Sequence, residues 1–163
     1  MITISPKRIL ILILILLIIL FVIKLARIES FTSNRKTHIG IIIPTTSNKR
    51  NFKTAKDIDF FTILMPGFLS NCSNKYNYDF YLGIDHDDAF FLKEEKNIIA
   101  HFKKITNGKT NFSLRLEKMY NLKGKVGAIW SNLANTAVEN NAEYLYQMGD
   151  DIKILTPNWE ETF

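Results

Sequence analysis

An uninterrupted apolar run near the amino terminus constrains this chain more than any other feature. Residues 9–23 are fifteen consecutive apolar residues, nearly all Ile or Leu, and Lys24 is the only charged residue within 9–26. As a helix with a rise of about 1.5 Å per residue, such a segment spans about 27 Å, close to the roughly 30 Å hydrocarbon core of a bilayer. At about −0.5 kcal/mol per central Ile or Leu, insertion gains on the order of 7 kcal/mol. We therefore predict a transmembrane helix over residues 9–26, with the lipid bilayer as its partner.

The same run also suits a cleavable signal peptide, whose apolar core is short. A signal peptidase site needs small residues at alternate positions, and the residues around Lys24 and Glu29 do not supply them. We therefore expect an uncleaved signal anchor, with a short flank at residues 1–8 and a polar stem at 27–38. Basic residues lie on both sides of the anchor in similar numbers, so the positive-inside rule does not choose an orientation.

The net charge of +5 is confined to the amino-terminal part of the chain. Residues 1–36 hold six basic groups and one acidic group, whereas residues 37–163 hold fifteen of each. A nucleic-acid-binding domain needs a basic face of its own, so this balance predicts no nucleic-acid partner. The single cysteine, Cys72, excludes an intrachain disulfide and a zinc site built from several cysteines.

Beyond the stem, strand-like and helix-like patterns alternate. Apolar runs rich in β-branched and aromatic residues predict strands at 39–44, 78–84, 112–116 and 144–148. Helical spacing of apolar residues predicts helices at 54–69, 89–104 and 126–141, and Thr156-Pro157 predicts the start of another. Strands separated by helices indicate an α/β fold over residues 39–163, with a mostly parallel sheet and helices on both faces.

Polar clusters follow three of the predicted strands: 45–47, 85–88 and 150–151. Parallel strands end at one edge of the sheet, where such folds bind ligands. Within the second cluster, Asp88 is placed to cap the helix that starts near Ala89. That assignment leaves Asp85 as the candidate ligand contact.

Adjacent carboxylates at Asp150 and Asp151 are costly at the end of an apolar strand unless a cation or water screens them. Carboxylate oxygens suit Mg²⁺ or Mn²⁺, so a divalent metal site is one interpretation. A solvated Asp-Asp turn is the other interpretation, and the residues alone leave both open.

Taken in order, IGIIIPT at 39–45, YDFYLGIDHDD at 78–88 and AEYLYQMGDDIKIL at 142–155 resemble the amino-terminal half of a GT-A glycosyltransferase. The resemblance covers about residues 37–163 and is to family 2-like enzymes and to predicted glycosyltransferases of large DNA viruses and protists. It implies that Asp151, with Asp150, holds the metal of a DxD-like motif, in which Gly149 replaces the first acid. It also implies that four residues contact the nucleotide: Pro44, Thr45, Thr46 and Asp85, with Asp150 as a further contact in place of the missing acid.

The resemblance implies a membrane-anchored enzyme that transfers sugar from a nucleotide-diphospho-sugar donor, with Mn²⁺ or Mg²⁺, to a glycan, protein or lipid acceptor. It further implies a type II protein whose domain lies in the Golgi or ER lumen of a eukaryotic host. The acceptor-binding half would follow Phe163, so we expect the domain to be incomplete at its carboxyl end. The alternative is a catalytically incomplete, membrane-tethered remnant that serves as a binding or interaction module.

Overall fold

The computed structural model describes residues 15–24 and 35–162. Residues 15–24 are helical, and the apolar side chains from Ile15 to Ile23 are 47–63 % exposed. The predicted flank at 1–8, both ends of the predicted anchor and most of the predicted stem lie outside the described residues. No helix within the two described stretches combines the length and the apolar character needed to cross a membrane.

The second of two compact units, Thr37–Phe163, contains a sheet of four parallel strands. They are β1 (His38–Pro44), β2 (Asn77–Asp85), β3 (Phe112–Met119) and β4 (Tyr144–Gln147). The strand order is β3-β2-β1-β4, and every neighbouring pair is parallel. The predicted α/β class and parallel sheet are confirmed. Because the chain runs outward from β1 to β3 and then returns to the other side of β1, the strand order reverses between β1 and β4.

The helices are α1 (Met65–Asn71), α2 (Ala89–Ile105) and α3 (Val126–Glu139). The single helix predicted over 54–69 is wrong. That segment contains a 3₁₀ turn at Ala55–Asp57 and a π-helical turn at Phe60–Leu64, and only then α1. Pro66 lies in the first turn of α1, where its missing N–H costs little. The helix predicted from Thr156-Pro157 is also absent, since a turn there leads into a 3₁₀ helix at Trp159–Thr162.

Each face of the sheet has its own buried core. On one face, alternate side chains of β1 and β2 pack with α1, the π-helical turn and α2; this core includes Ile41, Ile43, Phe60, Phe68, Phe80, Leu82, Phe91 and Phe102. On the other face, Ile42 and Tyr81 pack against the α3 residues Ile129, Leu133 and Ala137. Helices therefore cover both faces, as predicted.

One glycine lets α3 approach the sheet closely. A Cβ at Gly83 in β2 would lie 2.8 Å from Cγ2 of Ile129 and 3.0 Å from Cδ1 of Leu133. Such distances are shorter than van der Waals contact, so the absence of a side chain sets the spacing between α3 and the sheet. The amino-terminal end of α3 is thereby held at the carboxyl edge of the sheet.

Two polar clusters connect further parts of the domain by hydrogen bonds. Asp79 in β2 accepts a hydrogen bond from Ser113 Oγ in β3 (2.5 Å) and bonds His38 Nδ1 in β1 (2.8 Å), so one carboxylate joins three strands at their amino-terminal ends. Buried Glu160 accepts hydrogen bonds from Tyr78 Oη, at 2.5 Å, and from the Ser73 amide. The second cluster ties the segment after β4 to the start of β2.

We predict that Gly83→Ala destabilises the fold by about 1–3 kcal/mol, because the added methyl group overpacks the contact with α3. Gly127→Ala is the matched control, since a Cβ at that helical position meets nothing within 4 Å. It should be neutral or stabilising by up to about 1 kcal/mol, because Ala favours helix over Gly. Both tryptophans lie in the described domain, so urea unfolding followed by tryptophan fluorescence measures the difference. Equal effects of the two substitutions would contradict this account of helix–sheet spacing.

Candidate functional site

A cleft of about 420 Å³ opens at the carboxyl edge of the sheet. It lies between the residues that follow β1, β2 and β4 and the start of α3. In an open parallel sheet, the crevice at the reversal of strand order is the usual ligand site, and this cleft lies at that position. The polar and charged residues that line it are Thr45, Thr46, Asn48, Arg50, Asp85 and Lys123.

Four of the residues predicted to contact a ligand line this one cleft: Pro44, Thr45, Thr46 and Asp85. They come from the ends of β1 and β2, which are paired in parallel register so that Pro44 lies beside Gly83. The backbone of Thr45 continues that pairing, since its N–H donates to the carbonyl of Gly83 at 2.9 Å. The structure therefore brings these residues together, and their contacts with a nucleotide stay a prediction.

Asp150 is buried beside the cleft and is only 3 % exposed. Its Oδ2 accepts a hydrogen bond of 2.6 Å from Thr45 Oγ1. The Arg50 guanidinium donates to both carboxylate oxygens, at 3.1 and 3.2 Å. Arg50 also pairs with Asp59, which leads into the π-helical turn. Asp150 thus joins the end of β4 to the loop after β1, a role that the sequence patterns did not predict.

Burial raises the pKa of the Asp150 carboxyl above its ordinary value, despite the opposing effects of Thr45 and Arg50. Asp59 raises it further, because it is a second negative charge near the same guanidinium. One cation therefore serves two carboxylates, and the cluster of Asp150, Arg50 and Asp59 carries a net negative charge beside the cleft.

Asp151 differs from its neighbour because it is exposed. Its Oδ1 lies 2.7 Å from the point that a Cβ on Gly149 would occupy. Gly149 lines the cleft, so the Asp151 carboxylate lies over the space that a side chain at 149 would fill. Because Asp151 is exposed and its carboxylate is the far end of a flexible side chain, it can move if a larger residue occupies position 149.

Asp88 has the capping role predicted for it. Its side chain accepts hydrogen bonds from the amides of Phe90 and Phe91 in the first turn of α2, both at 3.2 Å. It also accepts hydrogen bonds from the amide and hydroxyl of Ser47, at 2.8 and 2.7 Å. The loop after β1 is therefore held at two points, by Asp88 and by Asp150.

The sequence patterns did not assign Arg50, Lys123 or Trp130 to a ligand site, and the structure places all three in the lining of the cleft. Lys123 lies in the turn before α3 and pairs with Asp87 across the rim at 3.4 Å, where both side chains are exposed. Next to this pair, the His86 and Tyr120 rings contact each other, with centroids 4.9 Å apart. The Lys-Gly-Lys sequence at 123–125, just before a predicted helix, was the available signal for a basic group here.

A divalent ion fits only part of this arrangement. Asp150 already bonds Thr45 and Arg50, and within residues 15–24 and 35–162 no group of three or more His, Cys, Asp or Glu side chains is arranged to hold a metal. Asp151 remains a free, exposed carboxylate at the edge of the cleft. Mg²⁺ in phosphate sites commonly takes one or two protein carboxylates and completes its coordination with phosphate oxygens and water. The residues present fit an ion bound in that way, with Asp151 as the main ligand.

Comparison of the chain with protein-family models, curated proteins and solved structures finds no significant match. The case for a function therefore depends on the cleft and its residues.

We predict that Arg50→Met destabilises the fold by about 2 kcal/mol. This is less than the roughly 3–5 kcal/mol for breaking a fully buried pair, because Arg50 itself is partly exposed. Without Arg50, the pKa of Asp150 in the folded chain rises further above its pKa in the unfolded chain. The stability of the variant therefore falls as the pH rises from the unfolded-chain pKa through the folded-chain pKa. The loss in free energy of unfolding, relative to the unmodified chain, should be largest near neutral pH and should shrink as acid protonates Asp150. Urea unfolding at several pH values measures it.

Lys53→Met is the control, since it removes one exposed positive charge from the same loop. It should change stability by less than about 0.5 kcal/mol. An Arg50→Met deficit that does not depend on pH would contradict the ion-pair role of Arg50.

Proposed function

We propose that the cleft binds a nucleoside-diphosphate sugar and that the chain is a membrane-anchored glycosyltransferase of the GT-A type. The observation that carries this proposal is the meeting of Thr45, Thr46 and Asp85 with a basic side chain, Lys123, in one cleft at the reversal of strand order. The cleft volume, about 420 Å³, is of the size that nucleotide-like ligands occupy.

The groups around the cleft suit the parts of such a donor. Asp85 is an acceptor for the N–H groups of a base, and Trp130, Ile129 and Val126 offer apolar surface to a planar ring. Lys123 supplies a positive charge for a diphosphate, at the expense of its exposed pair with Asp87. An exposed ion pair contributes about 0–1 kcal/mol, so the exchange of Asp87 for phosphate costs little.

In this proposal Asp151, with Asp150 behind it, holds Mn²⁺ or Mg²⁺ against the diphosphate. A bound divalent ion supplies positive charge to phosphate oxygens as a sugar–phosphate bond breaks. Lys123 and the start of α3 would act on the same negative charge, because they face the cleft. The acceptor hydroxyl and the base that activates it are not assigned to residues of this chain.

A second candidate is a membrane-tethered binding module of the same fold without transferase activity. Asp85 is the one carboxylate among the residues that line the described cleft, and Asp150, which is buried beside it, is engaged by Arg50. The transferase requires donor binding, whereas a binding or interaction module does not, so binding must be measured before activity.

Calorimetric titration of the full chain in detergent micelles with uridine or guanosine diphosphate, with and without Mn²⁺, tests donor binding. We expect binding that Mn²⁺ strengthens, and we expect Asp151→Asn to weaken the Mn²⁺-dependent binding by about tenfold or more, a loss of about 1.4 kcal/mol. Glu139→Gln, an exposed carboxylate at the other end of α3, should bind as the unmodified chain does. A folded sample that binds neither nucleotide would overturn the transferase proposal and leave only the binding or interaction module.

We further propose that residues 9–26 anchor the chain as a type II protein, with the domain in the Golgi or ER lumen of a eukaryotic host. The exposed apolar side chains of residues 15–23 support the anchor, whereas the orientation and compartment come from the resemblance. After expression in cells, the full chain should stay in the membrane pellet on alkaline extraction, and Leu16→Lys with Ile19→Lys should release it, because each central lysine costs about 3 kcal/mol. Retention of the double variant, or digestion of the domain by protease added outside intact vesicles, would contradict the anchor or its orientation.

A further inference from the structure

A second pocket lies on a different part of the domain, away from the cleft. It measures about 440 Å³ and is formed by the 3₁₀ turn at Ala55–Asp57 and the outer side of α2. Its lining residues are Thr54, Ala55, Lys56, Glu94, Asn97, Ala100, His101 and Lys104. None of them belongs to the cleft at the carboxyl edge, so any ligand here would be separate from the proposed donor.

Three side chains that carry or accept a positive charge meet in this pocket: Lys56, His101 and Lys104. Within the described ranges, neither lysine forms an ion pair with an acidic side chain. The His101 ring stands edge-on against Phe61, with centroids 4.7 Å apart, so packing fixes its position. Burial, followed by the charges of Lys56 and Lys104, lowers the pKa of His101 below its ordinary value.

The one acidic residue of the pocket, Glu94, is already engaged. Its Oε2 accepts hydrogen bonds from the Asn97 side chain at 2.9 Å and from the Ala55 amide at 3.3 Å. Glu94 therefore joins the 3₁₀ turn to α2 and keeps its negative charge, since both donors are neutral. Two lysines and a histidine against this one carboxylate form an electrostatic arrangement that suits an anion.

We propose that this pocket is a binding site for a phosphate monoester, with Lys56 and Lys104 as its charged contacts and His101 as a further donor. A dianion between two lysines relieves their mutual repulsion and favours protonation of the imidazole, which then donates a hydrogen bond. The phosphate group belongs either to a free metabolite or to a lipid headgroup, and both present the same chemistry to the pocket.

His101 provides a local reporter of occupancy. The chain has three histidines, so the imidazole Cε1–H signals of His38, His86 and His101 are few enough to be resolved in an NMR pH titration of the full chain in zwitterionic micelles. With millimolar inorganic phosphate, we expect the pKa of His101 to rise by about one. The signal of His38, which lies at the amino-terminal end of β1, is the internal control, and phosphate should leave it unchanged.

Variants separate the pocket from general charge effects. Lys56→Met and Lys104→Met should each abolish most of the phosphate-dependent rise, because each removes a contact while keeping an unbranched side chain. Lys103→Met is the matched control, since Lys103 is exposed on the same helix but does not line the pocket. Asp151→Asn should leave the rise unchanged, which distinguishes this site from the proposed donor cleft.

Short-chain phosphatidic acid and short-chain phosphatidylglycerol form the second arm, since only the first carries a phosphate monoester. A rise in the pKa of His101 with inorganic phosphate indicates a free phosphate ligand, and a rise with phosphatidic acid alone indicates a lipid headgroup. Either result supports the site. The proposal is overturned if the His101 signal responds no more than that of His38 in both arms, or if it responds equally in Lys56→Met.

Discussion

A buried carboxylate just beyond the end of the edge strand β4 organises the carboxyl edge of this domain. Asp150 is taken out of water, and the cost is offset by the Thr45 hydroxyl and the Arg50 guanidinium. Both partners lie in the loop after β1, so the loop and the end of β4 are joined at the point where the strand order reverses. The shape of the cleft depends on that connection, since Thr45 and Arg50 both line it.

The two adjacent acids therefore have different environments. Asp150 is held inside by a hydroxyl and a guanidinium, whereas Asp151 is exposed and lies over Gly149. The repulsion between two neighbouring carboxylates is reduced because one pairs with a guanidinium inside the protein and the other faces solvent or a ligand. This division leaves Asp151 as the exposed carboxylate of the pair.

Much of the fold follows from the pattern of the sequence. Apolar runs fixed all four strands to within one to three residues, and helical spacing located α2 and α3, because in both cases a long periodic pattern matches one buried face. The segment at 54–71 did not follow its pattern. The chain there changes from a 3₁₀ turn to a π-helical turn before α1 begins.

The candidate site was only partly accessible from sequence. Because parallel strands end at one edge, the sequence was enough to predict that the polar residues after β1 and β2 lie together. The contact between Asp150 and Arg50 was not predictable, since Arg50 is a hundred residues away and lies in a loop without periodicity. For the same reason the pocket formed by Lys56, His101 and Lys104 had no signal in the sequence: its charges come from two elements that only the fold brings into contact.

The central claim is that the cleft between the ends of β1 and β4 holds a nucleotide together with a divalent ion. Paramagnetic broadening by Mn²⁺ tests it most directly, because the ion erases backbone amide signals only near its own position. In the presence of a nucleoside diphosphate, the account predicts loss of the signals of Thr45, Thr46 and residues 149–151 at low Mn²⁺ concentration. Broadening that is centred elsewhere, or that is spread evenly over the exposed carboxylates and is indifferent to the nucleotide, would contradict it.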